Sequence, residues 1–134
     1  MRYLLDTSVC SQPIKRYPVS AAIERWDRLS FEQSATSVAC LAEIEWGLHK
    51  LKSERRWEGY RRVILPSLRV LPTDARVWKK WAELKACQQN AGRSVGDMDL
   101  LIAASSMVHG LVLATLNSRH FSQIEGLSWE DWSH

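Results

Sequence analysis

The sequence predicts an α/β sandwich with a parallel sheet at its centre. Two observations carry that prediction. Short apolar runs of strand length alternate with longer segments of helical periodicity. No hairpin signal joins two of those runs, so the strands are expected to be linked by crossovers and to pair in parallel. A third observation sets the extent: the 134 residues contain no internal repeat, low-complexity stretch or linker, which suits one domain over 1–134 with a single core.

The elements follow in order. Residues 2–6 read as a short buried strand, and Pro13 and Pro18 break the segment after it. Residues 19–29 read as a helix, with Ala22, Ile23, Trp26 and Leu29 on one stripe. Residues 33–36 suggest a second strand. Ser37 then opens a helix whose apolar stripe is Leu41, Ile44, Leu48 and Leu51. A further helix is expected over 54–64, ended by Pro66, and a strand over 68–71, stopped by Pro72. Residues 74–89 form a clear helical pattern that Asn90-Ala91-Gly92 terminates. The next helix spans 94–109 and is closed by Gly110. Residues 111–116 are the last strong strand, and 124–132 add a short edge strand.

Composition excludes several classes. Hydrophobic content of 46% and charged content of 25% are globular values. Cys10, Cys40 and Cys87 are odd in number and far apart, without zinc-ligand spacing, so neither a disulfide framework nor a zinc site is expected. No apolar run approaches a membrane helix, and no long apolar stretch precedes Asp6 as in a signal peptide. A cytoplasmic protein is the expectation. The net charge of +3 is compatible with a polyanionic partner without demanding one. The seven Trp are expected chiefly to pack, and the Trp78, Trp81 and Leu84 stripe to serve core or dimer contacts.

Three carboxylates carry the chemistry. Asp6 stands where the first strand would leave the sheet, and open α/β sheets bind ligands beyond the carboxyl ends of their strands. Glu43 and Asp99 fall inside otherwise apolar helical patterns, where an unpaired charge is costly. Acids converging on one point need a cation between them, and hard oxygen donors suit Mg²⁺ or Mn²⁺. Asp97 reads first as part of a capping arrangement with Ser94, and as an additional ligand if it turns inward. Glu45, four residues before His49, reads as a surface residue. Thr7, Ser8 and Thr115 are hydroxyls placed to orient carboxylates or water, although turn chemistry alone would also explain Ser8.

At these residues the chain resembles a PIN-domain ribonuclease, specifically the VapC toxins of type II toxin–antitoxin systems. The resemblance rests on Leu5-Asp6-Thr7-Ser8, on Ser37, Glu43 and Gly47, and on Gly92-Arg93-Ser94-Val95-Gly96 leading to Asp99-Leu100-Leu101-Ile102-Ala103-Ala104. It extends through Gly110-Leu111, Ala114-Thr115-Leu116-Asn117, Phe121, Gly126-Leu127 and Trp132. It implies a PIN-like three-layer α/β/α sandwich with a central parallel sheet of about 4–5 strands. It further implies a Mg²⁺-dependent endoribonuclease, with Mn²⁺ as substitute, that hydrolyses RNA phosphodiesters, tRNA among the candidates, by metal-activated water. Asp6, Glu43 and Asp99 would be the catalytic and metal-binding acids. A cognate VapB-type antitoxin and a homodimer are the expected partners.

The chain departs from the family pattern in one respect. Many PIN domains carry a fourth acid after the last major strand, where Asn117 and His120 stand here. Asn117 can offer its carbonyl or donate to a bound water, but adds no charge. The departure keeps open an alternative: a catalytically weak PIN fold retained for protein interaction. His109 and His120 are read as structural. A receiver-like phosphoacceptor is disfavoured because the strand at 68–71 runs into Pro72, and a haloacid-dehalogenase-like phosphatase because Ser8 stands where its second acid belongs.

The segment 49–62 sets Lys50, Lys52, Arg55, Arg56, Arg61 and Arg62 against only Glu54 and Glu58, with Trp57 and Tyr60 interleaved. It reads as an antitoxin-binding face, as an RNA contact using charge and stacking, or as a solvated helix.

Overall fold

The computed structural model describes residues 2–134 and has a five-stranded, wholly parallel sheet at its centre. The strands are β1 (Tyr3–Leu5), β2 (Ser34–Ser37), β3 (Arg69–Leu71), β4 (Val112–Thr115) and β5 (Trp129–Asp131), in the spatial order β3-β2-β1-β4-β5. Leu4 lies opposite Ala35 on one side and Leu113 on the other. All three are fully buried, as strands covered by helices on both faces require.

Among the described residues, seven α-helices complete a three-layer α/β/α sandwich: α1 (Thr7–Cys10), α2 (Ser20–Asp27), α3 (Val38–Leu51), α4 (Glu54–Gly59), α5 (Ala75–Asn90), α6 (Asp97–Val108) and α7 (Ser118–Phe121). Ser37, Ser53 and Asp74 cap α3, α4 and α5 by accepting a backbone N–H three residues on. Helix α6 buries the whole run Leu100 to Ser106 and packs along α5. It ends at Val108, and just beyond it Gly110, with a φ of 63°, lets the Leu111 N–H donate back to the Ser106 carbonyl at 2.9 Å. Each of the large apolar side chains buried here stabilises the fold by about 1.5–3 kcal/mol.

The chain order creates a switch point. From β1 the chain moves outward through β2 to β3, then returns to the opposite side of β1 for β4 and β5. A crevice therefore opens beyond the carboxyl ends of β1 and β4, where ligands bind in open α/β sheets.

Several expected boundaries shift for local reasons. The first strand stops at Leu5, because Asp6 is the N-cap of α1 and accepts the Val9 N–H. Helix α6 starts at Asp97 rather than at residue 94, since Gly96 is its N-cap, and no side-chain cap from Ser94 forms. The helix expected over 54–64 is α-helical only to Gly59, then widens into a π-type turn at Tyr60–Ile64. Gly59 is needed there, because a Cβ would stand 2.7 Å from Ile14 Cγ2 in the turn after α1. Tyr60 is 2% exposed and donates to Glu45 Oε2 at 2.6 Å, so it is not free to stack on a base, and Glu45 is not an ordinary surface acid. A buried phenol needs such an acceptor. Burial first, and then the Glu45 carboxylate, raise the Tyr60 pKa. In the Trp stripe, Leu84 is buried and Trp81 half-buried, while Trp78 meets Trp81 edge-on at 5.6 Å and stays on the surface.

Candidate active site

Asp6, Glu43 and Asp99 reach the switch-point crevice from three different elements. Asp6 follows β1 directly, and its N–H is fixed on the Ala114 carbonyl of β4 at 3.0 Å. Its Oδ1 accepts the Val9 N–H at 3.0 Å and the Ser8 hydroxyl, and its Oδ2 accepts the Thr115 hydroxyl at 2.6 Å. Glu43 projects from the middle of α3 and accepts the Thr7 hydroxyl on Oε1. Asp99 stands in the first turn of α6, where the helix dipole favours a negative charge. All three acids line one cavity of about 540 Å³.

Thr7, Ser8 and Thr115 are therefore in contact with the acids. Ser8 Oγ also accepts the Leu116 N–H at 2.9 Å, and Thr115 Oγ1 accepts the Asn117 N–H at 2.8 Å. The ends of β1 and β4 are thus stitched together through the hydrogen-bond partners of Asp6. Every one of these donors is neutral. Among the described residues no Lys or Arg forms an ion pair with Asp6, Glu43 or Asp99. Burial pushes the Asp6 carboxyl up to about 6; the bonds from Ser8, Thr115 and Val9 pull it back, and the nearby Asp99 charge raises it further. A desolvated carboxylate without a counter-charge is unusual unless the site receives a cation.

Thr115→Val tests the stitching. It removes the donor to Asp6 and the acceptor for Asn117 while keeping the shape of the side chain. The expected cost is about 1–3 kcal/mol of stability at neutral pH, read by denaturant titration.

The remaining expected site residues divide. Asn117 lies on the cavity wall. Asp97 does not: its Oδ1 pairs with Lys85 Nζ of α5 at 2.9 Å, so it belongs to the α5–α6 surface and not to the acid cluster. His120, read from sequence as structural, instead lines the cavity with its Nδ1 3.0 Å from Asp99 Oδ2. Lys15 and Gln12 also line it. Lys15 was legible only as a basic residue in the short segment after Asp6. Gln12 carries no sequence signal; it is buried and ties the Ser8 carbonyl to the Val19 N–H.

The basic segment is less uniform than its composition. Arg61 and Arg62 both pair with Glu58, and Arg61 lies over the half-buried Trp57. Lys50 sits 4.3 Å over the ring of the exposed Trp46, and Lys52 ends α3 in the left-handed conformation with φ 52°. Arg55 is exposed and without a partner among the described ion pairs. Arg56 lines a second cavity, about 210 Å³, with Trp46 and Leu51. That cavity shares Thr7, Ser11, Lys15 and Glu43 with the acid cavity. Of the basic residues in the segment, Arg56 is the one that lines this adjoining cavity.

Comparison with known proteins places this geometry. Residues 3–127 match the family model described as the PIN domain. The chain is 31% identical over 133 residues to the tRNA(fMet)-specific endonuclease VapC of Shigella flexneri, covering 99% of both chains. Among solved structures it is similar to FitAcB from Neisseria gonorrhoeae, with a TM-score of 0.88, 27% identity and coverage of 98% of this chain and 99% of that one. It is likewise similar to DNA-bound VapBC from Salmonella typhimurium, with a TM-score of 0.87, 32% identity and coverage of 98% of both chains.

Proposed function

The chain belongs to the PIN-domain family, in its VapC group, and we propose that it is an endoribonuclease toxin held in check by a VapB-type antitoxin. The observation that carries the reading is the shared cavity of Asp6, Glu43 and Asp99, with Asp6 desolvated and unpaired. The Shigella relative is an endonuclease specific for tRNA(fMet), so structured RNA of the tRNA class is the substrate we assign. Relatives crystallised as VapBC and FitAB assemblies support the antitoxin partner. A homodimer and cytoplasmic action belong to the same proposal. Among the described residues no helix is long and apolar enough to cross a membrane.

The donor set fits Mg²⁺ or Mn²⁺. All three acids offer hard oxygens, and Asp6 has no other counter-charge. Among the described residues, no three His, Cys, Asp or Glu side chains close on one point as direct ligands. An ion that keeps several waters and takes only one or two carboxylates directly does not require such a cluster. Such an ion supplies Lewis-acid activation of water and neutralises charge on the phosphoryl oxygens. The protein's own part is positioning. The hydroxyls of Ser8 and Thr115 fix Asp6, and Thr7 fixes Glu43. Lys15, on the wall of the same cavity, meets the phosphate backbone that the acids alone would repel.

The test is digestion of a total RNA pool by the purified chain with Mg²⁺ or Mn²⁺, with product ends mapped. Discrete cleavage without 2′,3′-cyclic phosphate ends, stopped by the cognate antitoxin, is the expected result. Intact RNA throughout, with tight antitoxin binding retained, would establish instead the weak PIN fold that Asn117 and His120 in place of a fourth acid suggest.

A further inference from the structure

We propose that His120 is a nitrogen ligand of the cation site, paired with Asp99, and that it tunes the site toward Mn²⁺ over Mg²⁺. The inference rests on the cation reading above and goes beyond it in naming a ligand and a metal preference. Its starting point is placement. Helix α7 follows β4 at once, and so carries His120 back over the carboxyl end of the sheet to face the first turn of α6. The ring lines the acid cavity together with Asp6, Glu43 and Asp99.

The distance is the second observation. Nδ1 of His120 stands 3.0 Å from Oδ2 of Asp99. Donors on adjacent corners of an octahedron with bonds of about 2.1 Å are separated by about 3.0 Å, so the pair already has the spacing of two neighbouring ligands. The ring is 53% exposed and held by no other hydrogen bond among the described residues, so it can turn its lone pair to an ion without disturbing the core. Asp6, by contrast, has both oxygens occupied by hydroxyl and amide donors, which leaves Asp99 and His120 as the more available pair.

The metal preference follows from donor chemistry. Mg²⁺ takes oxygen and sheds water reluctantly, so an imidazole at the site gives it little. First-row transition ions take imidazole nitrogen more readily than Mg²⁺ does, and Mn²⁺, although the weakest binder in that series, shares the preference of Mg²⁺ for carboxylate and water oxygens in an octahedral site. His120 thus replaces a hard anionic donor with a neutral nitrogen, which changes both the charge and the selectivity of the site.

Pulsed electron paramagnetic resonance of the Mn²⁺-loaded chain, with calorimetric titration of Mn²⁺ and Mg²⁺, tests this. The other three His, at positions 49, 109 and 134, do not line the acid cavity, so nitrogen coupling to a bound Mn²⁺ would report His120. The expected result is clear nitrogen coupling in the wild type, its loss in His120→Gln with a roughly tenfold fall in Mn²⁺ affinity, and a rise in Mg²⁺ affinity in His120→Asp. Bound Mn²⁺ without nitrogen coupling, or coupling that survives in His120→Gln, would overturn the inference while leaving the cation site standing. Failure of a folded chain to bind either ion would overturn the cation site itself, and this inference with it.

Discussion

Asp6→Asn is expected to lower RNA cleavage by about three orders of magnitude and to raise the thermal stability of the protein at neutral pH. The loss is the size expected when a pre-organised electrostatic group is removed from a reacting centre. Asn keeps the shape of Asp6 and can still accept from Ser8 and the Val9 N–H on its carbonyl, so the fold has no steric reason to change. What disappears is the negative charge that faces the cavity beside Asp99. Growth after induction, RNA integrity and a melting curve on the same preparation check both halves. Equal toxicity from wild type and variant would remove Asp6 from the mechanism.

The gain in stability follows from linkage, and its sign depends on pH. The folded Asp6 carboxyl is raised from 3.8 to about 6, with burial as the main cause. Between those values the native state binds more protons than the unfolded chain, so stability falls as pH rises through the window. Below it both states are protonated and the penalty is absent; above it the full penalty applies. A gap of roughly two pH units corresponds to about 3 kcal/mol. Asn carries no such penalty. Its amide, however, must face Thr115 Oγ1, which already accepts from the Asn117 N–H, so the net gain should be about 1–2 kcal/mol. An activity lost while stability rises is the signature of a strained functional group rather than of a core residue.

Much of this site could be read from the sequence because its members violate their surroundings. Asp6 ends an apolar strand, and Glu43 and Asp99 interrupt apolar helical stripes. The parallel sheet was legible for the opposite reason: local periodicity and chain order agreed, as they do where packing alone decides. What escaped depends on short-range geometry. The four-residue helices α1 and α7 are too brief to show a period, yet α1 makes Asp6 a cap and α7 carries His120 to Asp99. The π-type turn at Tyr60 hides the same way, since one widened turn barely alters a helical pattern but sends a side chain from solvent to Glu45. Charge counting leaves the arrangement of the basic segment open, since it does not show that Glu58 pairs with Arg61 and Arg62 at once.

Removal of divalent ions is expected to abolish cleavage and, separately, to shift the melting temperature in a pH-dependent way. The two effects have one origin. Above about pH 6 the folded state holds Asp6 ionised against a desolvation penalty, and a cation in the cavity would offset that penalty. An ion that binds the native state alone stabilises it by RT ln(1 + [L]/Kd), about 1.4 kcal/mol at ten times Kd, or about 5 °C for a chain of this size. As pH falls through about 6, protonation of Asp6 would remove the negative charge facing the cavity, and the stabilisation by Mg²⁺ or Mn²⁺ should shrink. Melting curves with and without chelator from about pH 5 to about pH 8 would trace it. In Asp6→Asn the shift should be small at every pH, because the penalty that the ion offsets is gone. Cleavage that survives chelation would show that the nucleophile owes nothing to a cation. A shift of equal size in the variant would place the ion elsewhere on the protein. On the proposed function, activity and stability would be joined at one carboxylate: the charge that makes Asp6 a poor core residue would give an ion reason to occupy the cavity.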